Sequence, residues 1–183
     1  QYGNRWYIVP NTSAVMAPAC MNSCESCEEE TPDQASGTIF FSEYGEGSSN
    51  NKYLEIYNPT GTDVNLENYV IMGNYNGNPW SEAFTFAADA AIETGGVYVI
   101  ANAGASDAIQ ALADEVLAYA DPWYTAAFNG DDVRALAKIV GIDTTILDII
   151  GTLDGGDPGS GWDVAGVTDA TQNHTLMRKP GVT

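Results

Sequence analysis

The sequence is poor in positive charge. Only 6 residues are Lys or Arg against 25 Asp or Glu, which gives a formal net charge of −19 over 183 residues. Nucleic acids are bound through clustered Lys and Arg that contact phosphates, and anionic membrane surfaces repel acidic proteins. The composition therefore argues against both ligands. It favours cation binding and a salt-rich or extracellular setting.

Long hydrophobic runs are also absent. No stretch approaches the ~20 apolar residues of a membrane-spanning helix, so we expect no membrane insertion. Apolar residues still make up 44% of the chain, which is enough for a folded core. The first residue is Gln1 rather than Met, as expected after removal of a secretory signal peptide, although a boundary chosen for expression would look the same.

Residue types used in catalysis are scarce. His174 is the single histidine, which argues against zinc sites built from several histidines, and no GxSxG motif supplies an activated serine. Glu43 and Glu55 form a carboxylate pair of the kind that hydrolyses glycosides at ~5–10 Å separation. Both lie in predicted strands, where hydrogen bonding or pairing with a cation such as Lys52 is the commoner role. We predict that the chain is not an enzyme and has no catalytic residues.

All three cysteines, Cys20, Cys24 and Cys27, lie close together near the N-terminus. An odd number predicts one disulfide with a leftover thiol, or a bridge between chains. Three thiolates also suit a metal, but no clear fourth ligand is near, so we favour disulfide chemistry. Reduced cysteines in a flexible leader are the third interpretation. We treat residues 1–36 as a leader or linker with an edge strand at residues 5–9.

From residue 37 onward the pattern is mostly β. Segments rich in β-branched and aromatic residues alternate with turns rich in Gly, Asn, Asp and Pro. This spacing predicts an all-β fold, a β-sandwich formed by residues 37–183. The predicted strands cover residues 38–44, 52–58, 68–75, 82–86, 95–102, 133–140, 144–151 and 174–179.

The first two strands predict a simple hairpin. In that hairpin Phe40 and Ser42 share the core face with Leu54 and Ile56. The opposite face then holds Glu43, Glu55, Tyr53 and Tyr57.

The hydrophobic period changes after the fifth predicted strand. Ser106 is suited to an N-cap position, and the apolar residues that follow fall at helical spacing. We predict one or two short helices that cross the end of the sheets. Their apolar residues are Ile109, Leu112, Val116 and Leu117.

Several segments, in their order and spacing, resemble bacterial lamin-tail domains. They are FFSEYGEGSSNNKYLEIYNPTG, FNGDDVRAL, TTILDIIG, DPGSGWD and HTLMRK, and they span about residues 38–179. The resemblance implies an immunoglobulin-like β-sandwich. It also implies a secreted or surface protein, since bacterial members occur there, sometimes beside nuclease or phosphatase domains. The family has no established catalytic residues, so none is carried over.

Acidic loops give a calcium interpretation. Asp131 and Asp132 lie in one loop, and Asp154, Asp157 and Asp163 lie in a Gly-rich loop where carboxylate and carbonyl oxygens suit calcium. The EF-hand spacing is absent, and the alternative is that these residues cap backbone amides in turns. Asp154 and Asp157 are the first calcium ligands to test, and we expect no other cofactor.

Aromatic residues mark candidate interfaces, because Trp and Tyr anchor many protein contacts. One group falls in loops or at loop edges, where its members either form contacts or fill the ends of the sandwich. The other group is the N-terminal apolar run, which is suited to adding as a strand to the sheet of a neighbour. The residues are Trp80, Trp123, Tyr124 and Trp162 in the first group and Trp6, Tyr7 and Ile8 in the second.

Together these features predict a non-enzymatic, extracellular structural or adhesive module of a bacterial surface protein or surface assembly. Its partners would be other surface proteins or further copies of the chain. The second interpretation is an accessory domain of a larger secreted hydrolase such as a nuclease. The third is a calcium-dependent binding module.

Overall fold

The computed structural model describes residues 5–10, 37–118, 125–153, 156–179 and 181. These residues form an almost entirely β structure with one short helix, α1 (Asp107–Gln110). No helix within these ranges is long and apolar enough to cross a membrane. The strands are β1 (Trp6–Pro10), β2 (Phe40–Glu46), β3 (Lys52–Tyr57), β4 (Val64–Asn65), β5 (Tyr69–Gly73), β6 (Glu82–Thr85), β7 (Ala91–Ile92), β8 (Val97–Asn102), β9 (Glu115–Leu117), β10 (Arg134–Val140), β11 (Asp143–Ile150) and β12 (His174–Arg178).

Two main sheets make up the fold. The larger sheet has the strand order β1-β12-β2-β3-β8-β9, and the smaller has the order β11-β10-β5-β6, while β4 and β7 form a separate short pair. The inward-facing side chains of the two sheets meet in the main core, and a second, smaller cluster packs α1 against β3 and β8. The predicted immunoglobulin-like β-sandwich is confirmed. Its core includes Phe41, Leu54 and Ile56 from the larger sheet and Ile71, Phe84 and Leu136 from the smaller one.

The predicted core face of the first hairpin is correct for β3 but wrong for β2. The β2–β3 register shifts between Phe41 and Glu43. Such a bulge adds one residue to one strand and so reverses which side chains point inward beyond it. Leu54 and Ile56 are buried as predicted. The buried aromatic residues of β2 are Phe41 and Tyr44, whereas Phe40 and Ser42 are only half-buried.

The helical crossover is shorter than predicted. α1 begins after Ser106, whose side chain makes no capping hydrogen bond, and it ends at Gln110. Val116 and Leu117 were predicted to be helical but lie in β9, which pairs in parallel with β8. Leu117 is buried and Val116 is exposed, so the pair also satisfies the alternation of a strand. Backbone pairing with the edge of β8 therefore makes these residues a strand rather than part of a helix.

The predicted N-terminal edge strand is confirmed as β1. It pairs antiparallel with β12, from Trp6 opposite Arg178 to Pro10 opposite His174. β1 therefore forms one edge of the larger sheet. Several residues named from the sequence lie outside the described ranges, and they are Cys20, Cys24, Cys27, Trp123, Tyr124 and Asp154.

Candidate functional site

Glu43 and Glu55 are brought together as direct partners across β2 and β3. Tyr53 Oη donates a hydrogen bond to Glu43 Oε2 at 2.8 Å, and Ser42 Oγ donates to Glu55 Oε1 at 2.6 Å. Burial raises the pKa of Glu43 to about 7, with the charge of Glu55 as the second cause. Burial also raises the pKa of Glu55. Each carboxylate is thus held by a neighbouring hydroxyl group, as expected for a structural role.

His174 lies at the start of β12 and is half-buried. Its Nδ1 is 2.6 Å from the carbonyl oxygen of Gln172. Since a carbonyl oxygen can only accept, Nδ1 is the donor, and this bond fixes the imidazole against its own backbone. His174 is thus hydrogen-bonded within its own segment of the chain.

The acidic loops use most of their carboxylates to accept backbone hydrogen bonds. Asp132 Oδ2 accepts from the amide of Asn129 at 2.9 Å, and Asp157 Oδ1 accepts from the amide of Gly159 at 2.7 Å. Asp163 Oδ1 likewise accepts from the amide of Asp169. Within the described ranges, no three His, Cys, Asp or Glu side chains are grouped so as to hold a metal ion. Calcium binding by Asp154 and Asp157 stays a prediction, since Asp154 lies outside those ranges.

A pocket of about 350 Å³ opens at one end of the sandwich. Lys52, the first residue of β3, contributes from the larger sheet, and Glu82, the first residue of β6, contributes from the smaller sheet. The remaining lining comes from the loops beside these strands. It consists of Asn50, Tyr75, Asn76, Ala127, Phe128, Asn129 and Asp132.

Two buried ion pairs border this end pocket. Lys52 Nζ pairs with Glu46 and also donates to the carbonyl oxygen of Gly47 at 3.0 Å. Glu82 Oε2 lies 2.8 Å from Arg134 Nη2. Replacing a buried ion pair by apolar residues is often neutral or stabilising. Two such pairs at one pocket therefore suggest that the charged groups are placed there for more than stability.

The floor of the end pocket is aromatic. The Phe128 ring stacks on Tyr44 with centroids 4.7 Å apart, and the Arg134 guanidinium carbon lies 5.4 Å from the Phe128 centroid. Burial raises the pKa of Glu82, while Arg134 opposes that shift. Burial also raises the pKa of Asp132. The pocket thus combines a hydrophobic floor with fixed polar groups, which is the usual composition of small-molecule sites.

The sequence predictions missed this pocket. Lys52 was considered only as a partner for strand carboxylates, and Glu82 and Arg134 were not singled out. One usable signal was present, because each of these three residues is a charged residue at the first position of a strand. A charge at such a position needs a partner if the strand end is buried.

A second cluster, the β1 anchor, holds the N-terminal strand. It consists of Trp6, Phe40, Asp148 and Arg178. The Arg178 guanidinium carbon lies 4.2 Å from the Trp6 centroid and 5.1 Å from the Phe40 centroid. Arg178 also pairs with Asp148 of β11, whose Oδ2 accepts from the amide of Phe41 at 2.9 Å. The anchor therefore connects β1 to both sheets.

The predicted interface aromatics differ in exposure. Trp6 and Trp162 are only 3% and 8% exposed, whereas Tyr7 is 53% exposed. Ile8 and Trp80 are partly buried. Tyr7 lies beside Lys179, whose Nζ is 5.1 Å from the ring centroid. Of the described residues in this set, Tyr7 is the most available to a partner.

Comparison with known families gives one finding that bears on function. The sequence matches the family model described as Lamin Tail Domain over residues 32–153, which is more than half of the chain. The match contains β2 to β11, while β1 and β12 lie outside it. No curated protein matched the sequence.

Proposed function

The chain belongs to the lamin tail domain family, and from this premise we propose that it is an extracellular structural or adhesive module of a bacterial cell surface. The family consists of immunoglobulin-like structural domains, which supports a non-enzymatic module in general. The net charge of −19 supports a salt-rich extracellular setting, where screening by ions reduces self-repulsion.

The observation that carries the proposal is the β1 anchor. An edge strand presents backbone donors and acceptors along its outer side and is therefore suited to pairing with another chain. β1 has five residues, a common length for a strand, and its backbone pairs with β12. Arg178 adds a buried contact with Trp6. The edge is thereby fixed in place, which supports a role in contacts between surface proteins or between copies of this chain.

Electron microscopy of protein from its native source tests this function. Non-reduced and reduced samples should be compared by negative stain. We expect ordered filaments or arrays in the non-reduced sample, and their loss on reduction would assign the three cysteines to assembly. Dispersed monomers in both samples would contradict assembly. They would favour the accessory-domain interpretation, which predicts a reading frame that continues beyond Thr183 into a catalytic domain.

A further inference from the structure

We propose that the end pocket binds a neutral carbohydrate, as one or two sugar units of a larger glycan. The inference rests on the proposed function, because it names the ligand that an adhesive surface module would recognise. The volume of about 350 Å³ is near the lower end of the ~300–1,000 Å³ typical of small-molecule sites. A monosaccharide or disaccharide suits that size.

The charges that line the pocket select for a neutral ligand. Lys52 disfavours a cation in the pocket, and Glu82 and Asp132 disfavour an anion. These charges already have partners within the protein. Lys52 is paired with Glu46 and Glu82 with Arg134, and Asp132 accepts hydrogen bonds from backbone amides. A charged ligand would lose its hydration without gaining a free partner. A ligand with neutral groups that both donate and accept hydrogen bonds avoids this cost.

Sugars carry such groups, and the pocket offers matching partners. Asn50, Asn76 and Asn129 supply amide groups that can donate and accept. Glu82, which also lines the pocket, is held in place by its ion pair with Arg134. The pocket wall thus offers neutral donors and acceptors beside charges that are already paired.

Aromatic rings supply the apolar part of the site. Phe128 is buried at the floor, whereas Tyr75 at the rim is 47% exposed. Sugar rings have apolar C–H faces, and Trp and Tyr side chains combine an apolar ring with a polar group. An exposed Tyr beside a pocket lined by amide and carboxylate groups therefore favours a sugar over a purely apolar ligand.

Hydrogen bonds and an ion pair within the protein hold the groups that line the pocket. The amide of Asn76 donates to Asp132 Oδ1 at 3.3 Å, which connects the rim turn to the pocket wall. Arg134 donates to the carbonyl oxygens of Thr125 and Asn74 and so keeps Glu82 in position. Because these groups are fixed before binding, little conformational entropy is lost when a ligand enters.

Saturation-transfer NMR with the purified chain tests the inference. The probes are the methyl glycosides of glucose, galactose, mannose and N-acetylglucosamine, with glucuronic acid and glucosamine as charged analogues. We expect at least one neutral glycoside to bind with a Kd of about 1 mM. The two charged analogues should bind more weakly than their neutral parent. A charged analogue that binds better than every neutral probe would overturn the charge argument, and no signal from any neutral glycoside would overturn the site.

Rim variants assign the binding to this pocket. Tyr75→Ala and Asn76→Gly should each weaken binding by about tenfold. Asn76 has a φ of 51°, a conformation that glycine adopts easily. Asn76→Gly therefore removes the side-chain amide with little backbone strain. Tyr7→Ala is the matched control, because Tyr7 is similarly exposed but belongs to β1. Unchanged binding in both rim variants would refute the assignment. These experiments use dispersed protein, so they can detect sugar binding even if filaments are never found. The sugar-binding proposal and the proposed function can therefore be refuted independently.

Discussion

Positive charge is concentrated at a few buried positions. Lys52, Arg134 and Arg178 are half of the six basic residues, and each forms an ion pair that is largely shielded from water. In a chain with 25 acidic residues, a basic side chain on the surface would find counter-charge almost anywhere. These three instead neutralise carboxylates that the fold has removed from water, where an unpaired charge costs most. Two of these ion pairs border the end pocket, and the third belongs to the β1 anchor.

The carboxylate pair on β2 and β3 predicts a pH dependence of stability. The pKa of Glu43 is about 7 in the folded chain against an ordinary value of 4.5, so the folded state binds this proton more tightly than the unfolded state. The protonated Glu43 therefore stabilises the folded state below pH ~4.5, and this stabilisation is lost as the pH rises through 7. Glu43→Gln should therefore raise the free energy of unfolding at pH 8 by about 1–2 kcal/mol, allowing for partial solvent screening. Urea denaturation from pH 4 to pH 8 measures the effect.

The shape of the pH profile separates this cause from a general gain in stability. In the Glu43→Gln variant the fall in stability between pH 4.5 and 7 should flatten. Thr62→Ala, on an exposed loop, is a control that should keep the profile of the natural sequence. A Glu43→Gln profile parallel to that of the natural sequence would show that Glu43 is not the titrating group.

At the scale of elements, alternation predicted the strands well but not their registers. Residues 52–57 and 134–140 were recognised as strands because each is a short segment rich in apolar residues that is bounded by turn residues. The bulge before Glu43 has no such signature, because an inserted residue is chosen by how the strand must bend over the core. For the same reason Val116 and Leu117 were placed in a helix. Two adjacent apolar residues fit both the helical period of 3.6 and the strand period of two. Only their pairing with β8 shows that they belong to a strand.

Paired substitutions test whether residues 115–117 form a strand. Leu117 is 5% exposed and Leu112 is 58% exposed, whereas the predicted helix would have buried both. Leu117→Asp should lower the free energy of unfolding by about 3 kcal/mol, because it places an unpaired charge in the core. Leu112→Asp should change it by less than about 0.5 kcal/mol. Equal and large losses in both variants, measured by urea denaturation, would restore the helical interpretation.

The β1 anchor predicts a local unfolding event. Trp6 is buried and is the main side-chain contact between β1 and Arg178. Trp6→Ala should cost about 3–5 kcal/mol of the stability of this edge and release β1 from β12. Hydrogen exchange should then accelerate at amides of β12 that face β1, while amides of β10 and β5 stay protected. Tyr7→Ala is the exposed control on the same strand. Uniform acceleration throughout the sandwich would show that β1 belongs to the global folding unit.

At the scale of the whole molecule, the fold class was predictable and the end pocket was not. Turn residues and alternating strands were sufficient for a sandwich, since few folds accommodate that pattern. The pocket depends on Lys52 and Glu82, which begin strands in different sheets and are distant in sequence. No sequence spacing connects them. They meet because both sheets present the same end to the loops that carry Asn76 and Asp132.

The net charge of −19 makes the whole molecule sensitive to ions. Repulsion among exposed carboxylates opposes the compact state, and salt screens it over ~10 Å at 0.1 M. The Tm should therefore rise from low to moderate NaCl. At matched ionic strength, screening alone gives the same Tm in CaCl₂ and in MgCl₂. Differential scanning calorimetry makes the comparison. A specific calcium site in the Gly-rich loop would give a further rise in Tm with calcium alone, and a chelator would reverse it. That rise should be lost in Asp154→Asn and Asp157→Asn but kept in the exposed control Asp107→Asn.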